Sequence, residues 1–228
     1  VFPRITVVAA EAIQCPTLLY NGYGAHRIEG IGDKHVPWIH NMRNTDVAVG
    51  IDDEACMRLM RLFNEPAGRD HLVRAGVDPE LVSKLDLMGI SCIANLLTSI
   101  KTAKYFELGT ADVIVTVATD SMEMYGSRLA EEREAHGDYT EASAAAHHER
   151  YLLGAGIDHV LELSYWDRKR LHNLKYFTWV EQQGKTVDEL DAQWSDPDYW
   201  TTRLGAWREW DEKIAEFNER TGLLERYR

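Results

Sequence analysis

The spacing of the apolar residues changes near residue 130. In residues 1–130, short apolar runs alternate with segments in which apolar residues recur every three or four positions. Such runs are typical of buried parallel strands, and such segments are typical of the helices that pack on them. In residues 131–228 the helical spacing is nearly uninterrupted, with one weak strand signal at residues 158–163. We therefore predict an α/β fold, with a three-layer parallel sheet in residues 1–130 and an all-helical extension in residues 131–228.

The individual elements follow from the same spacing and from capping residues. Strands are predicted at residues 5–10, 46–51 and 111–118, and a fourth strand is predicted to end just before Gly89. In the first part, helices are predicted at residues 53–63, 80–85 and 92–106, with a polar connection at 66–76. In the extension, helices are predicted at residues 125–135, 140–153, 165–182, 187–194 and 197–220.

Residues 85–95 are the centre of this prediction, because a strand, a tight turn at Gly89 and a helix opening at Ser91 are expected there. With the apolar run that follows at residues 111–118, this order predicts a right-handed crossover in a parallel sheet. Ligands of such sheets lie beyond the carboxyl ends of the strands. The Ser91 hydroxyl would therefore face the cleft or cap the helix, and the residues alone favour the cap.

Residues 15–45 are predicted as a long ordered loop, since they combine turn residues with apolar ones. Gly22, Gly24, Gly30 and Gly32 could bring backbone N–H groups close to a phosphate. However, the loop contains neither a Walker motif nor a Gly-x-Gly-x-x-Gly motif. Tight turns are therefore the favoured interpretation of these glycines.

The same loop contains His26, His35 and His40, so we considered a metal site. Their spacing is not that of paired ligands, and surface or hydrogen-bonding roles are favoured. Cys92 follows Ser91, but no histidine can be assigned as its base, which argues against a nucleophilic thiol.

Composition narrows the functional classes further. The formal net charge is −12, which argues against non-specific nucleic-acid binding. Three widely spaced cysteines suit a reducing cytosol, so a cytoplasmic location is expected. No apolar run approaches the length of a membrane span, and no membrane association is expected. The chain opens with Val1-Phe2-Pro3-Arg4 and lacks an initiator Met, as expected for a start within a larger protein.

The extension is rich in tryptophan, with six of these residues between positions 166 and 210. We expect them to pack against the sheet or against another subunit. The charged segment Asp167-Arg168-Lys169-Arg170 is predicted to be a solvated face of its helix.

Six short motifs follow one another along the chain. Each is a weak indication of a protein family by itself, but their common order is more specific. They are Val8-Ala9-Ala10-Glu11, Gly24-Ala25-His26-Arg27-Ile28-Glu29-Gly30-Ile31-Gly32-Asp33, Val36-Pro37, Asp52-Asp53-Glu54-Ala55, Gly89-Ile90-Ser91, and Val113-Ile114-Val115 followed by Asp120-Ser121-Met122-Glu123-Met124-Tyr125. In this order the chain resembles the second half of the fold type II pyridoxal-phosphate-dependent enzymes, the cysteine synthase-like proteins of the tryptophan synthase β superfamily. The resemblance covers residues 1–127.

This resemblance implies a cofactor, pyridoxal 5'-phosphate, and roles for four residues. Ser91 matches the serine whose hydroxyl meets the pyridine nitrogen. Gly30, Ile31 and Gly32 match the loop that flanks the ring. Because a neutral serine does not hold the pyridine nitrogen protonated, the ring suits β-elimination and β-replacement on a small amino acid. The resemblance thus implies a lyase or transferase, expected as a homodimer.

The chain departs from the family pattern in two places that matter. The Schiff-base lysine near the start of an early helix and the Gly-Gly-Thr-type phosphate loop are both missing from the sequence. In the family both lie upstream, so the chain is interpreted as the C-terminal portion of a longer enzyme, with the upstream half as its partner. Cys92 also replaces a serine, and Met122 and Met124 replace a glycine and an arginine. The alternative is a non-catalytic or truncated homologue that acts as a folded subunit.

Overall fold

A computed structural model describes residues 5–227, and at its centre lies a small mixed sheet. The strands are β1 (Val8–Ala12), β2 (Val47–Ile51) and β3 (Val160–Glu162), in that spatial order. β1 and β2 are parallel, whereas β3 runs antiparallel to β2. The predicted α/β class is confirmed in this coarse sense, because helices surround a sheet that has a parallel pair. The sheet of the described residues has three strands and is mixed, so the larger parallel sheet stays a prediction.

Helices make up most of the remaining chain. They are α1 (Thr17–Tyr20), α2 (Asp53–Asn64), α3 (Pro66–Arg74), α4 (Pro79–Ser83), α5 (Ile90–Tyr105), α6 (Gly126–His136), α7 (Glu141–His147), α8 (Tyr165–Lys175), α9 (Val187–Ser195), α10 (Tyr199–Gly205) and α11 (Trp207–Thr221). Short 3-10 turns are Met42–Asn44, Leu85–Leu87, Met122–Tyr125 and Leu224–Tyr227. Two helices continue into π-helical turns, His148–Leu153 and Tyr176–Val180.

The central strand β2 organises the core, because every one of its residues is buried. Val47, Val49 and Ile51 point to one side, where they join the apolar cluster that includes α2 and α5. Ala48 points to the other side and joins a second cluster with α1 and α8. The alternation of side chains along a strand thus lets one five-residue segment anchor helices on both faces of the sheet.

The starts of two helices in residues 1–130, α2 and α4, were predicted correctly. Asp52 caps α2 by accepting a hydrogen bond from the Glu54 N–H, as its position before an Asp-Glu-Ala sequence predicts. Pro79 opens α4, and Asp78 caps it in the same way. The first predicted strand, residues 5–10, is shifted to Val8–Ala12, and the interpretation of Val1 to Arg4 lies outside the described residues.

Three local predictions were wrong. Residues 66–76 do not form a polar connection, because Pro66 starts helix α3. The segment before Gly89 is a 3-10 turn and not the end of a strand. Residues 111–118 form neither strand nor helix, and Val113, Val115 and Val117 are exposed. The sequence of this last run favours a strand, but a strand also requires a neighbouring backbone, and in the described structure none pairs with it.

The chain beyond residue 130 is joined to the sheet by direct contacts. Ala144 belongs to the same apolar cluster as Val49, and β3 completes the sheet. The prediction of an all-helical extension was therefore wrong at residues 160–162, where the weak strand signal is a strand paired with β2. The expectation of a solvated face at residues 167–170 was wrong in part, because Arg168 Nη2 lies 2.9 Å from Asp46 Oδ1 and Arg170 Nη2 donates to the Leu18 carbonyl at 3.0 Å. A division of the chain at residue 130 stays a prediction.

Five of the six tryptophans of the extension divide into two groups. Trp179 and Trp200 donate their ring N–H groups to the carbonyls of Val36 and Gln193, at 2.8 and 2.9 Å. Trp166, Trp207 and Trp210 remain more than half exposed. Packing on the body of the protein therefore accounts for only some of them.

Within residues 5–227, no helix combines the length and apolar character that crossing a bilayer requires. A cytoplasmic location stays a prediction.

Candidate functional site

The N-terminus of α5 is shaped by a glycine that no other residue could replace without movement. Gly89 precedes the helix with extended backbone and donates its N–H to the Asp120 carbonyl at 2.9 Å. A Cβ at this position would lie 2.1 Å from Asp120 Oδ1 and 3.0 Å from the Tyr125 ring. Gly89 therefore allows the segment that carries Asp120 to lie directly against the first turn of α5.

Ser91 lies in that first turn and is buried, but it does not cap the helix. The prediction of an N-cap was therefore wrong, since Gly89 occupies the capping position. The Ser91 hydroxyl lies 2.5 Å from Thr119 Oγ1 and 3.5 Å from Asp120 Oδ1. Its partners thus belong to a distant segment of the chain and not to its own helix.

The hydroxyl protons of this cluster have two arrangements, which differ in whether Thr119 donates to Asp120 or to Ser91. Thr119 Oγ1 lies 3.2 Å from Asp120 Oδ1, and the Tyr125 hydroxyl donates to Asp120 Oδ2. When Thr119 donates to Asp120, its oxygen accepts the Ser91 proton in return. If Thr119 turned its proton to Ser91 instead, the Ser91 proton would be free for another acceptor. Burial, followed by the hydrogen bond to Asp120, raises the pKa of Tyr125, so its phenol stays protonated.

Cys92 faces the same cluster from the next position of the helix. Burial raises the pKa of its thiol, but hydrogen bonds with Thr119, Asp120 and Gly89 together outweigh burial and leave the pKa below its ordinary value. The Thr119 N–H donates to Cys92 Sγ at 3.1 Å. The sulfur thus accepts from the Thr119 N–H and donates to the Asp120 carbonyl at 3.4 Å, which holds this segment against α5. That the thiol is not a nucleophile stays a prediction.

The part of the 15–45 loop that contains Gly30 and Gly32 approaches this cluster from the other side. Gly30 and Gly32 have φ angles of +85° and +93°, which side chains rarely allow. A Cβ on Gly30 would touch the Ser91 side chain, at 3.8 Å from its Cβ and 3.9 Å from its Oγ. A Cβ on Gly32 would press on Ala12 and His26, both at 3.1 Å. The predicted site residues Gly30 and Ser91 are thus brought together, although they are far apart in the sequence.

A cavity of about 540 Å³ lies along this loop. It is lined by Cys15, Gly24, His26, Gly30, Ile31, Gly32, Asp33 and Lys34. Its volume is in the range of small-molecule sites. Because Gly30 lines the cavity and also lies against Ser91, the cavity and the α5 cluster are adjacent.

Buried acids hold the loop in place. Asp53 accepts a hydrogen bond from the Arg27 N–H at 2.8 Å, and burial raises the pKa of its carboxyl group. The Arg27 side chain pairs with Glu54 and, at 2.9 Å, with Glu132 of α6. Glu11, at the end of β1, accepts from the backbone N–H groups of both Leu18 and Leu19 at 2.9 Å.

Three buried polar atoms beside the loop have no hydrogen-bond partner within the described part of the chain. They are His26 Nδ1, Glu29 Oε2 and Asp53 Oδ1. Native structures seldom leave such atoms unpaired, and a bound molecule or water is the usual partner. His26 is the one of the three residues that also lines the cavity.

The three loop histidines bind separate partners. His26 Nε2 lies 2.6 Å from the Gly32 carbonyl, His35 Nδ1 lies 2.8 Å from Thr178 Oγ1, and His40 Nε2 lies 2.8 Å from Thr45 Oγ1. Each ring therefore has a hydrogen-bonding role in a different place.

The sequence analysis did not place Thr119, Asp120 or Tyr125 in the site. Asp120 and Tyr125 carried part of the family resemblance, and that was the available signal. Thr119 gave none, because its role depends on how its segment lies against α5.

No protein-family model, no curated protein and no solved structure matches this chain.

Proposed function

We propose that this chain forms the ring-binding part of a pyridoxal 5'-phosphate-dependent lyase or transferase that acts on a small amino acid. The observation that carries the proposal is the approach of Gly30 to Ser91, whose Cβ would lie 3.8 Å from a Cβ on Gly30, at the edge of a cavity of about 540 Å³. The family resemblance assigns both residues to the cofactor ring, and they lie together.

The residues present fit the ring end of this cofactor. Ser91 would meet the pyridine nitrogen, and the backbone of Gly30, Ile31 and Gly32 would flank the ring. His26 also lines the cavity and adds a polar side chain to its wall. When bound, the cofactor would supply the electron sink for β-elimination or β-replacement.

The cluster around Ser91 fits a neutral donor to the ring nitrogen. Thr119 and Tyr125 both direct hydroxyl groups at Asp120, so the charge of that carboxylate is compensated. Ser91 thus stands between the cavity edge and a carboxylate that other groups already satisfy. Rotation of the Thr119 hydroxyl toward Ser91 would free the Ser91 proton for the ring nitrogen and would leave Tyr125 as the donor to Asp120.

The proposal includes a larger parallel sheet, to which another segment of the enzyme contributes. The outer edge of β1 has no strand beside it in residues 5–227. The run Val113 to Ala118 is apolar, exposed and free of ladder hydrogen bonds in the same residues. Both features fit a sheet completed by the upstream half, which would also supply the Schiff-base lysine and the phosphate loop.

The second candidate is a folded subunit without catalytic activity, and one observation favours it. Lys34 is the one lysine that lines the cavity, and it is exposed on a loop. If the complete protein has no other lysine at this site, no imine with the cofactor can form. The cavity would then be a remnant of the site in a protein that pairs with a partner.

The first experiment uses the protein expressed from its complete natural reading frame. We expect it to be purified with bound pyridoxal phosphate, detected by its absorbance. Gly30→Ala should lower cofactor retention at least about tenfold, because the new Cβ adds strain at positive φ and fills space beside Ser91. Gly76→Ala is the matched control, since Gly76 has a φ angle of +94° but no atom within 4 Å of an added Cβ. A purified protein without cofactor, or equal retention in both variants, would contradict the proposal.

The second experiment uses the 228-residue chain alone. We predict that pyridoxal phosphate leaves no stable imine on it after dialysis, because a suitably placed lysine is missing. A stoichiometric, borohydride-reducible adduct at a single lysine, Lys34 above all, would overturn the view that the imine lysine lies outside this chain.

A further inference from the structure

Helix α11 extends from the body of the protein into solvent. Every residue from Trp207 to Thr221 is exposed, except Asn218, which is half-buried. Within residues 5–227, the ion pairs of this helix join its own residues, Lys213 to Glu209 and Arg220 to Glu216. The helix therefore gains little from the rest of the chain.

One side of α11 carries four large apolar residues, which are 51% to 58% exposed. They are Trp207, Trp210, Ile214 and Phe217. Leu224, beyond the end of the helix, is also more than half exposed. The alternating spacing of three and four residues is that of the a and d positions of two-stranded coiled coils. The geometry therefore indicates a second helix as the occupant of this stripe.

An uncovered helix of this length is poorly stable. Isolated helices shorter than about 12–15 residues are marginal in water, and most helices depend on tertiary packing of their apolar face. A contiguous apolar stripe on a soluble protein also marks an interaction site. The stripe thus needs a cover that the described chain does not provide.

The charges of α11 argue against a membrane as that cover. Interfacial helices carry mainly Lys and Arg on their polar face. Around α11, the acidic residues outnumber the basic ones: Glu209, Asp211, Glu212, Glu216 and Glu219 against Arg208, Lys213 and Arg220. An anionic lipid surface would repel this helix.

The flanks of the stripe suit a second copy of the same helix. With Trp207 at an a position, Lys213 and Arg220 occupy g positions on one flank, and Asp211 and Asn218 occupy e positions on the other. In a parallel, in-register pair each g residue faces the e position five residues further along the partner. Lys213 thus faces Asn218 and Arg220 faces Glu225, with no like charges opposed. In an antiparallel pair the two basic flanks would face each other. Charge therefore favours two identical helices side by side in the same direction.

The area of the stripe is also sufficient for a modest dimer. Aromatic side chains bury roughly 150–250 Å² each, so four half-exposed residues per copy supply roughly 400 Å². Two copies, with Leu204 and Leu224 at the ends, would bury about 1,000–1,200 Å², at the lower limit of specific interfaces.

We propose that α11 is a dimerisation helix on which a second copy of this chain packs its own α11, parallel and in register. Trp207, Trp210, Ile214 and Phe217 of each copy form the seam. This proposal does not depend on cofactor binding, so an experiment can contradict the dimerisation helix without contradicting the proposed function, and the reverse also holds.

Sedimentation equilibrium of the 228-residue chain tests this directly. The mass should rise toward that of a dimer between about 1 and about 100 μM. Ile214→Glu places a charge in the seam and should raise the dimer Kd at least about 100-fold. Ala215→Glu adds the same charge one residue away, outside the seam, and should change Kd less than about threefold. Because α11 is exposed, the thermal unfolding midpoint of the body should be the same in both variants.

A second variant tests the orientation. The three native cysteines are buried, so Ile214→Cys adds the one exposed thiol of the described chain. In a parallel, in-register pair the two new thiols meet, and mild oxidation should link the dimer covalently. A chain that stays monomeric, a dimer unaffected by Ile214→Glu, or a dimer that Ile214→Cys does not link would each overturn the proposal.

Discussion

Two apolar runs of this protein have nearly the same composition and opposite environments. Residues 47–51 read Val-Ala-Val-Gly-Ile, form β2 and are buried throughout. Residues 113–118 read Val-Ile-Val-Thr-Val-Ala and are exposed throughout, with Val115 at 87%. β2 has a strand on each side, whereas the second run has no strand beside it in the described residues and accepts a hydrogen bond from Asn95 Nδ2 at the Val117 carbonyl, at 3.2 Å.

The difference shows that strand propensity alone does not make a strand. A β-branched run favours extended backbone, but most of its stabilisation comes from paired neighbours and from burial. β2 obtains both from β1, β3 and the helices on its two faces. The second run obtains neither from residues 5–227, so its apolar side chains are available to another polypeptide.

The largest effect should come from placing a charge in each run. Val49→Asp buries a carboxylate in the core and should destabilise the chain by about 4 kcal/mol or more, enough to prevent folding. Val115→Asp changes an exposed position and should alter stability by less than about 0.5 kcal/mol. Urea unfolding followed by circular dichroism compares the two. Equal loss in both variants would show that residues 113–118 are packed in solution.

The second prediction concerns the contribution of a buried lysine and its hydrogen bonds to the stability of the chain. Lys175 is fully buried, and its amine donates to the carbonyls of Trp38 and His40 and to Gln193 Oε1, at 3.0, 2.6 and 2.8 Å. Lys175→Met leaves acceptors without a donor and should destabilise the chain by about 3 kcal/mol.

Lys213→Met is the control for that variant, since Lys213 is exposed and should respond by less than about 0.5 kcal/mol. Chemical denaturation measures both. A loss below about 1 kcal/mol for Lys175→Met would mean that these three hydrogen bonds do not hold the loop to α8.

A third prediction concerns pH. Burial, followed by the charge of Lys175, lowers the pKa of His172 to about 4. The folded protein therefore holds this imidazole neutral, whereas the unfolded chain protonates it near its ordinary pKa. Stability contributed by His172 is present above about pH 6.5 and is lost as the pH falls toward 4, by about 2 kcal/mol between pH 7 and pH 5.

His172→Gln removes this titration while keeping a donor for the Leu190 carbonyl, which lies 3.1 Å from His172 Nε2. Between pH 7 and pH 5 the free energy of unfolding should fall less in this variant than in the parent chain, and the difference between the two falls should be about 2 kcal/mol. Parallel curves for the two proteins would show that His172 does not carry the effect.

The smallest effect is expected at Ser91. Ser91→Ala removes its hydrogen bond to Thr119 and should destabilise the chain by about 1 kcal/mol. Ser99→Ala, on the same helix, removes a bond to the Asn95 carbonyl of its own turn and should have less effect. Thermal unfolding of both variants checks this. An equal change would mean that Thr119 does not depend on Ser91.

The elements that could be predicted from sequence are those with local signals. β2 and α2 follow from an apolar run and from the Asp52 cap, and α4 follows from Asp78 and Pro79. Helix α3 was missed because its polar residues resemble a connection, although Pro66 marked its first turn.

The sequence indicated some residues of the candidate site but not the contacts between them. Gly30 and Ser91 were found through the order of motifs. The contact of Ser91 with Thr119 and Asp120 depends on a chain path set by tertiary packing, and no local pattern indicates it. For the same reason, the exposure of residues 113–118 could not be anticipated from a strand-like sequence.

The most direct test of the central proposal is the nitrogen-15 resonance of the cofactor ring in the protein from the complete reading frame. We predict that labelled pyridoxal phosphate binds with a neutral, hydrogen-bonded ring nitrogen. Ser91→Ala should shift that resonance, because it removes the donor, whereas Ser99→Ala should leave it in place. A ring-nitrogen resonance that is the same with and without the Ser91 hydroxyl would contradict the assignment of Ser91 to the cofactor.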